Sequence, residues 1–108
     1  MWWLYAAVVV FLLAYAALSP RPRRLAIVAA FFLLAIIVHV VGSSYLGMLY
    51  QAAPKDALGN IQWSYDLADR VRDITAAMYV NAAGLVVSLF MVLWTVYEYA
   101  VDTVKRRF

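Results

Sequence analysis

The chain has 108 residues, 68% of them hydrophobic and 14% charged, with a net charge of +3 and no cysteine. No charged side chain occurs over 1–20, 25–54 or 74–97, so none of these runs carries the polar stripe a soluble bundle needs every three or four residues. Each is long enough for a bilayer-spanning helix of about 17–25 residues, and the lack of cysteine excludes disulfides, a catalytic thiol and thiolate-bound metal.

Helix 1 is predicted over about residues 2–18, stopping at Ser19-Pro20 because proline cannot continue a helix and restricts the residue before it. This run has no basic segment before it and no small-residue cleavage site after it, so it reads as a retained helix. Helix 2 follows over about 25–50. At about 1.5 Å per residue it approaches ~39 Å, so it tilts or protrudes from the hydrocarbon.

The connection over 51–73 opens with the turn-rich QAAPKDALGN. Ser64 is placed to cap a new helix, with Asp66 in its first turn. Asp66–Arg70 and Asp69–Arg72 stand at pairing distance along that helix. No breaker separates it from the third span over 74–99, so one helix of about 35–40 residues is expected, from near Tyr65 to near Val104. Glu98, Asp102, Lys105 and Arg106 are expected to pair along its end, before a basic tail over 100–108. The pattern therefore predicts an all-α integral membrane protein forming a single domain over 1–108. It has three transmembrane helices and an outer helical extension continuous with helix 3.

Orientation follows from the basic clusters. Arg21, Arg23 and Arg24 fill the first link without an acidic residue, and Lys105, Arg106 and Arg107 fill the tail. Short basic segments stay cytoplasmic, and three crossings put both clusters on one side, giving an N-out/C-in chain. These six residues are expected to meet lipid headgroups rather than nucleic acid. Trp2, Trp3, Tyr5, Tyr45, Tyr50, Trp63 and Tyr65 are expected at the outer interface; Tyr15, Trp94, Tyr97 and Tyr99 at the inner one. A bacterial inner membrane is the expected location.

Polar and small residues inside spans face protein. On helix 3, Ala77, Asn81, Gly84, Ser88, Met91 and Thr95 form one stripe. On helix 2, Ala35, His39, Ser43 and Gly47 recur at four-residue steps, and helix 1 carries Ala7, Ala14 and Ala17. His39, Ser43 and Asn81 are expected to cluster between helices 2 and 3. His39 is the single histidine, with three readings: a packed neutral imidazole, a ligand of haem b or (bacterio)chlorophyll, or a proton-relay or quinone contact. Ala35-xxx-His39 on a helix running inside to outside resembles the pigment-binding arrangement of bacterial light-harvesting polypeptides. That resemblance covers two residues and an orientation, and implies a chlorophyll ligand without the fold.

No nucleophile–base pair, carboxylate cluster or phosphate loop is visible, and no span carries the charge or broken helix typical of transporters. The chain is therefore expected to be no enzyme by itself. The expected role is an accessory or assembly subunit packing against larger subunits of a respiratory or photosynthetic membrane complex. The alternatives are a His39 haem- or chlorophyll-binding anchor and a self-assembling pore, whose three-span plan resembles one class of phage holins.

Overall fold

The computed structural model describes residues 2–107, so Met1 and Phe108, the ends of the expected domain and tail, lie outside the described residues. The fold is all-helical: α1 Trp2–Leu18, α2 Arg21–Ala52 and α3 Tyr65–Arg107. They lie along one long axis in a body of 74 × 23 × 15 Å. Two helices, α2 and α3, are long and apolar enough to cross a membrane; α1 is a shorter apolar helix of 17 residues.

Sequence chemistry sets each boundary. α1 ends where the Ser19 N–H donates to the Ala16 carbonyl and its hydroxyl donates to the Tyr15 carbonyl, closing two of the helix's last carbonyls. Only Ser19 and Pro20 then separate α1 from α2, whose first turn already contains Arg21, Arg23 and Arg24. The Pro20 carbonyl accepts from the Arg24 N–H, and Pro22 sits in the first turn, where its missing N–H costs nothing. α2 thus starts four residues earlier than its charge-free run. α3 is capped by the Ser64 hydroxyl, which accepts from the Leu67 N–H at 3.1 Å. The Asp66–Arg70 and Asp69–Arg72 pairs form along its first turns at 3.3 and 3.0 Å.

The connection between α2 and α3 is a compact turn. One Asp56 carboxylate oxygen accepts from the Leu58 and Asn60 backbone N–H groups, both at 2.9 Å, and Lys55 and Ile61 form an antiparallel bridge. Gly59 has φ +84°, the left-handed region that glycine enters without steric cost. Trp63 folds back edge-on to Tyr50, ring centres 6.1 Å apart.

The core is thin. Val9, Leu13 and Ala16 of α1 and Val28, Phe31 and Ala35 of α2 are buried, together with Asn81, Gly84, Ser88 and Thr95 of α3. Gly84 is the narrowest point, because a Cβ there would lie 2.7 Å from Phe31 Cζ and 3.0 Å from Val9 Cγ1. Outside this strip the apolar surface is bare, and the most apolar stretches of α2 and α3 are only 17% buried.

Two expected stripes do not pack within the chain. On α2 the inward face runs Val28, Phe31, Ala35, Val38, Gly42, Leu46 and Leu49, whereas His39, Ser43 and Gly47 are exposed. Four-residue steps cause this: at 3.6 residues per turn each step overshoots by about 40°, so a strict four-step stripe winds off the interface. The α3 stripe mixes steps of three and four and stays on one face, with Ala77 and Met91 half-buried along it. On α1 the inward face is Val9, Leu13 and Ala16, and Ala7, Ala14 and Ala17 are exposed.

Candidate functional site

Three polar contact sets fix the helices relative to one another, and all converge on α3. At one end the Trp2 N–H, an orphan donor of the first turn of α1, donates to Asp73 Oδ1 at 2.9 Å. In the middle the Tyr5 hydroxyl donates to Asn81 Oδ1 at 2.6 Å, while Asn81 Nδ2 donates to the Ala35 carbonyl at 3.0 Å. Asn81, 3% exposed, therefore holds α1 with one amide atom and α2 with the other. Tyr5, expected among the interface aromatics, is half-buried, with its hydroxyl engaged by Asn81.

At the other end Arg24 Nη1 donates to Glu98 Oε1 at 2.9 Å and to Thr95 Oγ1 at 3.1 Å. The Thr95 hydroxyl in turn donates a hydrogen bond to the Met91 carbonyl at 2.7 Å. Arg24 Nε is the one buried side-chain nitrogen or oxygen without a hydrogen-bond partner among the described residues. Arg21 pairs with Asp102 and lies over the Tyr99 ring, 4.7 Å from its centre. The hydrogen bond to Asp102 raises the Arg21 pKa above its ordinary value, so the guanidinium stays charged at any accessible pH. Glu98 and Asp102 were expected to pair within α3; the arginines of α2 take them instead, because the antiparallel packing brings those side chains across the gap.

These contacts place the acidic and basic residues in two belts. Arg21 and Arg24 stand beside Asp102 and Glu98 at one end, and Asp69, Arg72 and Asp73 flank Trp2 at the other. Along α3 the charge-free run 74–97 separates them, about 36 Å at 1.5 Å per residue. Arg23, Lys105, Arg106 and Arg107 are exposed at the first end, where the ion pairs among the described residues engage Arg21 and Arg24.

His39 does not join Asn81 or Ser43. It is exposed, has no hydrogen-bond partner among the described residues, and borders a groove of about 480 Å³ with Thr75, Met78, Tyr79, Ala82 and Leu85 of α3. Asn81 forms part of the groove floor with its amide already engaged. Thr75 and Tyr79 also lack hydrogen-bond partners, although Ser19, Ser88, Thr95 and Thr103 each donate to a carbonyl four residues back. Ala35, one turn before His39, is 2% exposed beneath α3. Ala35 and His39 therefore do not share an open face: the alanine is covered and the histidine is exposed.

A second groove, about 560 Å³, follows the α1–α3 seam and is lined by Ala6, Val10, Ala14 and Ala17 against Ala83 and Val87. Of the α1 alanines that do not pack inward, Ala14 and Ala17 border this seam and Ala7 does not. Among the described residues no group of three or more histidine or acidic side chains could hold a metal ion. The sequence signal that could have located Asn81 as the link between helices is its place at the centre of the α3 stripe. Nothing in the sequence marks Tyr5 as its partner.

Comparison of the chain with protein-family models, with curated proteins and with solved structures finds no match.

Proposed function

We propose that the chain is a membrane-embedded, non-catalytic accessory subunit that spans the bilayer three times and packs against larger subunits of an energy-transducing complex. The observation that carries this reading is the pairing of a thin core with two charged belts. The belt spacing of about 36 Å fits a hydrocarbon core of about 30 Å with a margin at each face. The surface between them is apolar almost all round, with Phe11 75% and Phe90 66% exposed. Water does not tolerate a contiguous apolar surface of this size on a lone protein. Lipid and neighbouring spans do.

Several features support a subunit rather than an independent machine. The interhelical polar groups are spent on holding the bundle together, and the small-residue seam between α1 and α3 allows close approach of another helix. The excess of basic residues beside Arg21 and Arg24 supports a cytoplasmic location for that end in a bacterial inner membrane. The test is purification from native membranes in a mild detergent. Recovery with a stoichiometric partner is expected, and recovery as a lone monomer refutes the assignment.

A second reading is favoured by one observation, the free imidazole of His39 beside an open groove. In this reading the chain retains a lipid-soluble cofactor, with haem b or a chlorophyll the expectation from sequence. One histidine supplies one axial ligand, so a bis-histidine haem requires a second chain. Visible spectra of the wild type and of His39→Ala decide it, since a coordinated pigment loses its absorption in the variant.

A further inference from the structure

We infer that the α2–α3 groove at His39 is a binding site for a quinone or quinol, with its ring at His39 and Thr75 and its tail along Ala82 and Leu85. This deepens the membrane-subunit reading and rests on it.

Hydrogen-bonding capacity is distributed unevenly in the molecule. Where the helices meet, side-chain groups are engaged: Tyr5, Asn81, Ser88, Thr95 and Arg24 all have partners. Three groups bordering one groove, His39, Thr75 and Tyr79, have no hydrogen-bond partner among the described residues. Thr75 stands two residues, about 3 Å along the helix, below Asp73. His39 lies level with Thr75 to Tyr79, since a Cβ placed on Gly42, one turn on, would meet Ile74 and Met78 at 3.7 and 3.5 Å. The free groups thus sit just inside one face of the hydrocarbon. The groove continues toward the bilayer centre past Ala82 and Leu85, which offer no polar atom beyond the backbone.

A ligand matching this pattern has hydrogen-bonding oxygens at one end and a hydrocarbon tail at the other, and it enters from lipid. A quinone fits. One carbonyl accepts from the imidazole N–H, the other from the Thr75 or Tyr79 hydroxyl, and in the quinol form the imidazole's second nitrogen accepts the ring hydroxyl. A tetrapyrrole fits less well. Its ring would lie against α2 beside the ligating histidine, where Ala35 is covered by α3, and it would leave the two hydroxyls unused. The inference concerns binding alone, and no electron transfer is assigned to the chain.

The experiment uses the full chain in mild detergent after isolation from the membrane fraction. It is titrated with a decyl-substituted benzoquinone while tryptophan and tyrosine fluorescence is followed. Co-extracted native quinone is also counted per chain. His39→Leu and Thr75→Val are each expected to weaken binding about three- to tenfold, the worth of one neutral hydrogen bond. Ala82→Phe, which fills the tail groove without touching the polar end, is expected to abolish it with helicity unchanged. Gly47→Ala, whose added Cβ meets nothing within 4 Å, serves as the control and leaves affinity unchanged. Equal affinity across all variants overturns the site, as does a wild-type pigment absorption band that vanishes in His39→Leu. A chain absent from the membrane fraction refutes the membrane reading itself; a membrane-bound chain indifferent to quinone refutes only this site.

Discussion

Replacing the amide of Asn81 tests how the three helices are held in register. Leucine has nearly the same shape, so Asn81→Leu removes the two interhelical hydrogen bonds without opening a cavity. The Ala35 carbonyl lies inside α2 and keeps its helical partner, which leaves the Tyr5 hydroxyl as the one orphaned group. Hydrogen bonds between spans are worth about 0.6 kcal/mol on average and at most about 1.7. Losing both therefore costs about 1.2 kcal/mol, with a ceiling near 3.4 kcal/mol. Tyr5→Phe removes one of them and should cost about half as much. The decisive quantity is the coupling between the two sites, because it isolates the Tyr5–Asn81 bond from changes in packing. Unfolding by increasing mole fraction of dodecyl sulfate in mixed micelles, followed by tryptophan fluorescence, gives the four stabilities of the cycle. A coupling of about 0.6–1.7 kcal/mol is expected. A value indistinguishable from zero means that Tyr5 does not meet Asn81, and the parallel packing of α1 on α3 is then wrong.

Gly84→Ala should destabilise the bundle by about 1–3 kcal/mol, the usual cost of overpacking, and Gly84→Leu should separate α3 from α1 and α2 altogether; the same dodecyl sulfate titration reads both. Arg24→Leu strands Glu98 beside Thr95 and should lower stability by about 1–3 kcal/mol, while the double variant Arg24→Leu, Glu98→Leu should recover most of the loss. Gly59→Ala forces a left-handed residue and should cost about 1–2 kcal/mol, measured as faster amide exchange at the Asp56–Asn60 turn. The cysteine-free sequence allows single-site labelling: in intact cells an impermeant maleimide should modify Leu58→Cys and spare Val104→Cys, and the opposite pattern inverts the proposed orientation.

What could be read from the sequence follows from how local each determinant is. The end of α1 is written in Ser19-Pro20 and the start of α3 in Ser64 and Asp66, all acting within a turn of where they stand. The inward face of α3 was legible because its small and polar residues alternate steps of three and four and so hold one azimuth. The α2 stripe through His39, Ser43 and Gly47 misled because each four-residue step drifts, and only the covering helix reveals which side is inside. The partners of Tyr5, Glu98 and Asp102 were illegible for another reason. Each is chosen across more than seventy residues of sequence, except where Arg24 and Arg21 were already marked as a basic cluster. His39 was visible as an oddity, but its freedom from any partner is a property of the assembled helices.

The long reach of those contacts has a consequence for biosynthesis. Tyr5 waits for Asn81, 76 residues later in the chain. On the membrane reading proposed above, at about 5–20 residues per second, α1 spends about 4–15 seconds in the bilayer before Asn81 is synthesised. During that interval α2 is the helix it can pack against, and on the same reading the side of α1 that later meets α3 faces lipid. The freedom of α1 from charged side chains, and a polar inventory limited to the Trp2 and Trp3 indoles, the Tyr5 and Tyr15 hydroxyls and the Ser19 cap, suit that wait as much as the final packing. A charge introduced on α1 where it faces α3 would thus act early, as an insertion defect, before any contact with α3 could be weakened.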